Sequence, residues 1–357
     1  MGRDIIPLWV ADMDFRSPPA VIEALQQRVD HGVFGYGVAP AELYEVVCTM
    51  LATKYEWQVQ PEWLIWLPGL VSGLNIACRA IGGQGDAVMT MVPIYPPFLT
   101  APKHFNRQLI TVPLLDDGKR WVIDFELLEK SITAKTRLLL LCSPHNPVGR
   151  VFDREELAEL VSICEKYDII ICSDEIHCDL ILDVDKKHIP TATISPAAEA
   201  RTITLMAPSK TFNVPGLGCS FAIISDTGLR QKLYLAMAGI VPEVNILGYT
   251  ASLAAYRDGW EWLACLLDYL RKNRQLVEQE IGSIDGLTTR HVEATYLAWI
   301  DARSIDTRSP ARYLEKAGVG LSEGSDFGSP GFMRLNFGCP RSLLKQALGR
   351  MSQALAG

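Results

Sequence analysis

The sequence lacks the features of a membrane protein and of a nucleic-acid-binding protein. No apolar run approaches the roughly 18 residues that a helix needs to cross a bilayer. The 34 lysines and arginines are outnumbered by 41 aspartates and glutamates, which gives a net charge of -7. An acidic chain has no general attraction to nucleic acid or to an anionic membrane surface, so we expect neither as a partner.

The nine cysteines lack the paired spacing of a disulfide or zinc framework. Their number is odd, no C-x-x-C pair occurs, and several lie within apolar runs such as 138–142. Reduced, buried thiols are the simplest interpretation, and they are typical of cytosolic proteins. The first residues, MGRDII, contain no apolar signal-peptide core. We therefore expect a cytoplasmic protein, and no metal site is predicted.

Short buried strands that alternate with amphipathic helices dominate the first two thirds of the chain. Hydrophobic residues make up 48% of the sequence, which excludes a disordered chain. Asp153 and Glu156 have the spacing of a capping box and predict the start of one helix. Apolar runs bounded by turn residues predict buried parallel strands at 87–92, 137–142, 169–173, 202–206 and 220–225. This alternation predicts an α/β fold with a mostly parallel sheet.

The last third of the chain has a different pattern. A long amphipathic helix is predicted over 260–281, because leucines recur there on one face. Strand candidates follow at 296–300 and 333–337, with helix candidates at 312–316 and 343–355. This order predicts a second, smaller α+β domain.

Two chemically capable side chains follow predicted strands. Lys210 comes shortly after the strand at 202–206, and Asp174 follows the strand at 169–173. Ligands of open α/β sheets bind beyond the carboxyl ends of the strands, where a lysine can form an imine with a carbonyl group. Taken alone, Lys210 would be a solvated loop lysine. A carboxylate beside it, able to pair with a protonated ring nitrogen, changes that interpretation.

Further candidates follow other strands of the same predicted sheet. Asn146 and Tyr95 come after the strands at 137–142 and 87–92, and they supply an amide and an aromatic ring. The segment 68–74 opens a helix whose first free N–H groups, near Leu70 and Val71, are suited to a phosphate. An imine-forming lysine, a ring-nitrogen aspartate, a stacking aromatic and a phosphate site together match the needs of pyridoxal phosphate.

Seven motifs carry a resemblance to a known family. The chain resembles the fold-type I pyridoxal-phosphate enzymes of the class I/II aminotransferase superfamily, and within them the cystathionine β-lyase-like C–S lyases of the MalY/PatB subgroup. The motifs occur in family order, which makes their combination far more specific than any one of them. They are WVADMDF at 9–15, FGYG at 34–37, YPPF at 95–98, HNPVGR at 145–150, SDEIH at 173–177, SKTFN at 209–213 and MRLNFG at 333–338.

The resemblance implies an aspartate-aminotransferase-like fold and a set of cofactor contacts. It places a large pyridoxal-phosphate domain at 33–258 and a small α+β domain at 1–32 and 259–357. Lys210 would hold the cofactor and act as the catalytic base, Asp174 would face the pyridine nitrogen, and Tyr95 would stack on the ring as a further catalytic residue. The remaining cofactor contacts would be Asn146 and His177 at the ring hydroxyl, and Leu70, Val71 and Ser209 at the phosphate.

The resemblance also implies how substrate and partner subunit are bound. Arg334 would grip the substrate α-carboxylate as a bidentate pair, with Asn146 and Ala11 beside it. Tyr36 would reach the phosphate bound by the neighbouring subunit. That contact implies a homodimer with shared active sites.

Three positions depart from the pattern of the wider superfamily. Many aminotransferases carry a tyrosine three residues after the ring-nitrogen aspartate, where this chain has His177. Many carry a phosphate-binding arginine eight residues after the lysine, where it has Gly218, and a serine three residues before the lysine, where it has Ala207. The first two changes are typical of the lyase-like subgroup, and the third leaves fewer side-chain contacts for a phosphate.

The function predicted from the sequence is that of a pyridoxal-phosphate-dependent C–S β-lyase. It would cleave an amino-acid thioether to a thiol, pyruvate and ammonia, with L-cystathionine as the default substrate and cysteine or S-alkyl cysteines as others. An aminotransferase is the enzymatic alternative, since it shares the early steps. A non-catalytic binding or regulatory protein on the same scaffold is the second alternative.

Overall fold

The computed structural model describes residues 4–305 and 307–356. Met1–Arg3, which belong to the N-terminal sequence MGRDII considered above, therefore lie outside the described residues. In chain order the strands are β1 (Ile6–Pro7), β2 (Leu64–Leu67), β3 (Ala87–Val92), β4 (Gln108–Pro113), β5 (Leu115–Asp116), β6 (Trp121–Val122), β7 (Thr136–Cys142), β8 (Ile170–Asp174), β9 (Thr202–Met206), β10 (Ser220–Ile223), β11 (Thr288–Thr289), β12 (Leu297–Asp301), β13 (Val319–Gly320), β14 (Ser322–Glu323) and β15 (Phe332–Asn336).

Helices connect and cover these strands. They are α1 (Pro19–His31), α2 (Ala41–Tyr55), α3 (Leu70–Ala80), α4 (Pro96–His104), α5 (Phe125–Lys130), α6 (Arg154–Lys166), α7 (Pro196–Arg201), α8 (Pro208–Thr211), α9 (Thr227–Met237), α10 (Ile246–Asp258), α11 (Trp260–Gly282), α12 (Pro310–Lys316) and α13 (Arg341–Leu355). The predicted capping box of α6 is present, because the Asp153 carboxylate accepts from the Glu156 N–H and the Glu156 carboxylate from the Asp153 N–H. Among the described residues, no helix is both long and apolar enough to cross a lipid bilayer.

The large sheet has seven strands in the order β2-β10-β9-β8-β7-β3-β4. Its strands are buried on both faces: Leu138 and Leu140 of β7 pack with α3 and α4, whereas Leu139 and Leu141 pack with α6. Because both faces are buried, the sequences of these strands are continuously apolar and do not alternate between apolar and polar residues. The predicted α/β class with a mostly parallel sheet is confirmed.

One predicted strand direction is wrong, and two strands of this sheet were not predicted. The run at 220–225 was expected to be parallel, but β10 runs antiparallel to both β9 and β2. Only a short helix and a turn lie between β9 and β10, and a parallel crossover normally needs a longer helical connection. β2 and β4 are the two edge strands, where a short span or exposed residues weaken the apolar pattern.

The C-terminal part contains a four-stranded sheet in the order β11-β12-β15-β14, with antiparallel neighbours throughout. The helix predicted at 260–281 is α11, and the predicted strands at 296–300 and 333–337 are β12 and β15 to within one residue. This part of the chain is therefore α+β, as expected. The predicted division at 33–258 against 1–32 and 259–357 stays a proposal.

The N-terminal segment is hydrogen-bonded both to the C-terminal part of the chain and to the loop after α8. β1 pairs in parallel with β13, and the Asn336 amide donates to the carbonyls of Val10 and Asp12. From the other side, the Asn213 side chain accepts from the N–H of Met13 and donates to its carbonyl, at 3.0 and 2.8 Å. These contacts bring residues 9–13 to the carboxyl ends of the parallel strands.

Candidate active site

A cavity of about 510 Å³ opens at the carboxyl ends of β7, β8 and β9. This is the edge of an open α/β sheet at which ligands bind. The structure brings ten of the eleven predicted site residues to the wall of this one cavity. They are Ala11, Leu70, Val71, Tyr95, Asn146, Asp174, His177, Ser209, Lys210 and Arg334.

Lys210 lies on α8, the short helix that follows β9. Its Nζ donates a hydrogen bond to the carbonyl of Ala11, on the N-terminal segment. Burial lowers the pKa of Lys210 below its ordinary 10.5, and the positive charge of Arg334 acts in the same direction. Asp12 and Asp174 act against this shift. A lysine with a lowered pKa is easier to deprotonate, which suits a nucleophile or a base.

Asp174 is the last residue of β8, beside Cys142 at the end of β7. One carboxylate oxygen accepts from the N–H of Ile176 at 3.1 Å. Burial raises the pKa of Asp174 from 3.8 to about 7, and the hydrogen bond from the Ile176 N–H and the positive charge of Lys210 only partly offset this effect. A buried carboxyl group of this kind is matched by a ligand that brings its own positive charge, such as a protonated pyridine nitrogen.

His177 and Tyr95 also line the cavity. Burial lowers the pKa of His177 to about 3, so the imidazole is neutral. Its Nδ1 is buried and has no hydrogen-bond partner among the described residues, which leaves one polar atom for a ligand. Burial raises the pKa of Tyr95, which caps α4, so its hydroxyl stays protonated at neutral pH.

Arg334 lies on β15 with only 4% of its surface exposed. One terminal nitrogen donates to the Asn146 side-chain oxygen at 3.2 Å, and the other to the Trp9 carbonyl at 2.6 Å. Burial lowers the pKa of Arg334 to about 10, which still leaves the guanidinium charged at neutral pH. Its buried Nε has no hydrogen-bond partner in the described chain. A buried guanidinium that has N–H groups without an acceptor is suited to bind a carboxylate.

Backbone amides at the start of α3 could bind an anion at one end of the cavity. Leu70 and Val71 begin α3, and the first N–H groups of a helix have no partner within it. Ser209 lines the same cavity from α8, and Ser72, which sequence reasoning missed, lines it from α3. Gly218 replaces the usual arginine; its φ is 58°, and a Cβ there would lie 3.1 Å from the Pro68 carbonyl oxygen. A glycine therefore suits both this backbone conformation and the close approach of the loop before α3.

Sequence reasoning also missed Ser322, and it gave Trp9 only as part of the motif at 9–15. Trp9 lines the cavity, and its ring packs so closely on Gly320 that a Cβ there would overlap it. The Ser322 hydroxyl donates to the Trp9 carbonyl at 2.9 Å, and Ser322 is the cross-strand neighbour of Arg334. No local pattern predicts these contacts, because they depend on strand register and on residues more than 300 positions apart.

Tyr36 is the one predicted site residue outside the cavity. Its side chain is fully exposed, in the irregular segment between α1 and α2. Val33, Phe34 and Val38 of the same segment are also exposed. A cluster of exposed apolar side chains of this kind is typical of an interaction surface.

The donor set of the cavity fits pyridoxal phosphate. Asp174 offers a buried carboxyl group that a positively charged ring nitrogen would keep ionised, and His177 offers an unpartnered buried nitrogen for a ring substituent. The start of α3 offers amides for a phosphate, and Lys210 offers an amine with a lowered pKa for an aldehyde. Each polar part of the cofactor thus has a chemically matched group in one cavity.

This fold and this cavity define a pyridoxal-phosphate enzyme of the aminotransferase type. The sequence profile of the aminotransferase class I and II family matches residues 3–351, and the chain belongs to this family. The predicted family and fold class are confirmed.

Similar proteins extend over almost the whole chain. Cystathionine beta-lyase PatB of Bacillus subtilis is 37% identical over 361 residues, which cover 99% of this chain and 93% of PatB. The crystal structure of OvoB is 47% identical with a TM-score of 0.98, and the match covers 99% of this chain and 94% of OvoB. The pyridoxal-phosphate-bound C–S lyase from Staphylococcus hominis is 32% identical with a TM-score of 0.92, covering 99% and 92% of the two chains.

Proposed function

We propose that the protein is a pyridoxal-phosphate-dependent C–S β-lyase that cleaves amino-acid thioethers. The observation that carries this proposal is that Lys210, Asp174 and Arg334 face one cavity at the carboxyl edge of the large sheet. Relatives that bear the names cystathionine beta-lyase and C–S lyase support it, since each matches 99% of the chain.

The residues around the cavity divide into those that hold the cofactor and those that hold the substrate. When bound, pyridoxal phosphate supplies an electron sink for the substrate α-carbon. Asp174 would pair with its ring nitrogen, and Tyr95 would stack on its ring. Asn146 and His177 would hold the ring hydroxyl. The Leu70 and Val71 amides and the Ser209 hydroxyl would hold the phosphate.

Lys210 moves the proton of the reaction. Its Nζ removes the proton from the substrate α-carbon, and the lowered pKa of this lysine makes the neutral amine accessible. Arg334 binds the α-carboxylate, with Asn146 and the Ala11 backbone beside it, and so orients the α C–H bond for removal. Loss of this proton and of the sulfur substituent on the β-carbon, followed by addition of water, yields a thiol, pyruvate and ammonia.

We extend the proposal to assembly and location. A homodimer would cover the exposed apolar segment around Phe34 and bring Tyr36 to the phosphate bound by the partner subunit. A cytoplasmic location is supported by the cysteines, all nine of which are free and most of which are buried.

The deciding experiment measures thiol and pyruvate release from L-cystathionine, with pyridoxal phosphate present and no keto acid added. We expect equal amounts of both products. The absence of both, in a protein that binds the cofactor, would contradict the lyase assignment. Formation of products only after a keto acid is added would instead identify an aminotransferase.

A spectroscopic measurement tests the attachment of the cofactor to Lys210, and failure to bind pyridoxal phosphate would favour the non-catalytic alternative. Pyridoxal phosphate bound to the protein through Lys210 should give a visible absorbance band that Lys210→Ala abolishes. Lys232→Ala is the matched control, because this lysine is exposed and does not line the cavity. A band that survives in Lys210→Ala would refute the cofactor assignment.

A further inference from the structure

The helix that carries Lys210 is too short to hold its own orientation. α8 spans only Pro208–Thr211, and a single turn is unstable without tertiary contacts. The position of the Lys210 amine therefore depends on what its neighbours bind. Asn213 and Phe212 anchor the residues after α8, the first to the N-terminal segment and the second by edge-to-face packing on Trp260.

Within α8 itself, Thr211 makes a contact of a different kind. Its buried hydroxyl donates to a carboxylate oxygen of Asp179 at 3.2 Å. The Asp179 side chain is only 2% exposed and lies outside the cofactor cavity. Such a buried charge is costly unless it is paired and hydrogen-bonded, so its partners identify what it does.

The other oxygen of Asp179 binds two residues at the end of α2. Lys54 donates to it as an ion pair, and the Tyr55 hydroxyl donates at 2.7 Å. Burial raises the pKa of Tyr55 well above its ordinary value, so this hydroxyl remains a donor. The Lys54 ammonium also lies 3.9 Å from the ring centroid of Trp260, the residue on which Phe212 packs.

We propose that Asp179 is a positioning residue for the reaction, which holds the lysine-bearing turn against α2 through Thr211. One carboxylate oxygen is fixed by Lys54 and Tyr55, and the other fixes the neighbour of Lys210. This inference rests on the proposed function, because it assigns a role relative to the amine that holds the cofactor. It adds a residue that touches neither the cavity nor the substrate.

The test compares three threonine variants of the holoenzyme. Thr211→Val removes the hydroxyl at nearly constant volume, and Thr211→Ser restores it. Thr204→Val is the matched control, because Thr204 of β9 is also fully buried but its hydroxyl has no hydrogen-bond partner among the described residues. The measurements are the rate of pyridoxal-phosphate release after dilution, followed by absorbance, and kcat and KM for L-cystathionine.

We expect Thr211→Val to release the cofactor about tenfold faster and to lose about ten- to a hundredfold in kcat with a smaller change in KM. Thr211→Ser and Thr204→Val should resemble wild type. Asp179→Asn, a second route to the same defect, should also release the cofactor faster, because the amide cannot keep the Lys54 ion pair.

Two failures are distinguishable. A wild-type protein that gives no absorbance band with pyridoxal phosphate would overturn the proposed function and this inference with it. A normal wild-type band, together with release rates and kcat in Thr211→Val that equal those of Thr204→Val, would overturn the positioning role alone.

Discussion

Replacement of Arg334 by lysine tests the substrate-binding geometry most directly. The guanidinium already donates to Asn146 and to the Trp9 carbonyl, and its Nε has no partner in the described chain. A lysine ammonium keeps the charge but has a single nitrogen. It cannot maintain both protein contacts and also bind two oxygens of a carboxylate.

The size of the effect follows from the number of bonds lost. A hydrogen bond to a charged group contributes about 1.5–3 kcal/mol, and 1.4 kcal/mol corresponds to about a factor of ten. Loss of one bond of a bidentate pair in Arg334→Lys should therefore reduce kcat/KM by about ten- to a hundredfold. Most of the change should appear in KM, because the carboxylate is bound in both the ground state and the transition state.

The assay is thiol release as a function of L-cystathionine concentration. Arg303→Lys is the matched control. Arg334 lies over the ring of Phe327 and Arg303 over that of Phe332, but the Arg303 side chain is 63% exposed. The control should behave as wild type. A folded, cofactor-bound Arg334→Lys variant with the KM of wild type would refute the assignment of Arg334 to the α-carboxylate.

Three other perturbations test the remaining groups. Burial raises the pKa of Asp174 from 3.8 to about 7, so ionisation of this carboxyl group destabilises the cofactor-free fold. The melting temperature of Asp174→Asn minus that of wild type should therefore increase between about pH 4 and pH 7. The same variant should retain pyridoxal phosphate less well than wild type. A melting-temperature difference that does not change with pH would contradict this. The pKa of His291 is raised to about 9, chiefly by its hydrogen bond to Glu278. The contribution of protonated His291 to the stability of the fold is therefore complete below about pH 6.5 and is lost as the pH rises through about 9. In thermal scans, the melting temperature of His291→Gln should fall less than that of wild type over that pH interval. For the shared site, mixing Tyr36→Ala and Lys210→Ala chains should restore lyase activity that neither variant has alone. In a mixed dimer, one of the two active sites would contain both wild-type residues. No restoration of activity after confirmed mixing would refute the shared site.

Much of the fold and of the candidate site was predictable because it depends on local patterns. The strands β3 and β9 were predicted with their observed bounds, since two-sided burial leaves a continuous apolar run. Asp174 ends such a strand and Lys210 follows another, and the carboxyl ends of parallel strands share one edge. Their convergence on one cavity therefore follows once the sheet is recognised as parallel.

The direction of β10 and the two edge strands were not predictable in the same way. An apolar run of four residues fits either direction, and only the short connection from β9 makes the antiparallel arrangement the accessible one. β4 lacks a continuous apolar run because an edge strand exposes part of its length to water.

The sequence by itself determined the family, the parallel sheet and the candidate reactive residues, because each depends on a short local motif or on a buried apolar run. Only the tertiary structure decided what surrounds those residues. The Trp9 carbonyl meets Arg334 across 325 positions, and Asp179 meets Thr211 across 32. Such contacts depend on how separate elements pack, and backbone carbonyls and buried carboxylates leave no periodic trace in the sequence. The arrangement that orients Lys210 and Arg334 thus comes from packing rather than from motif.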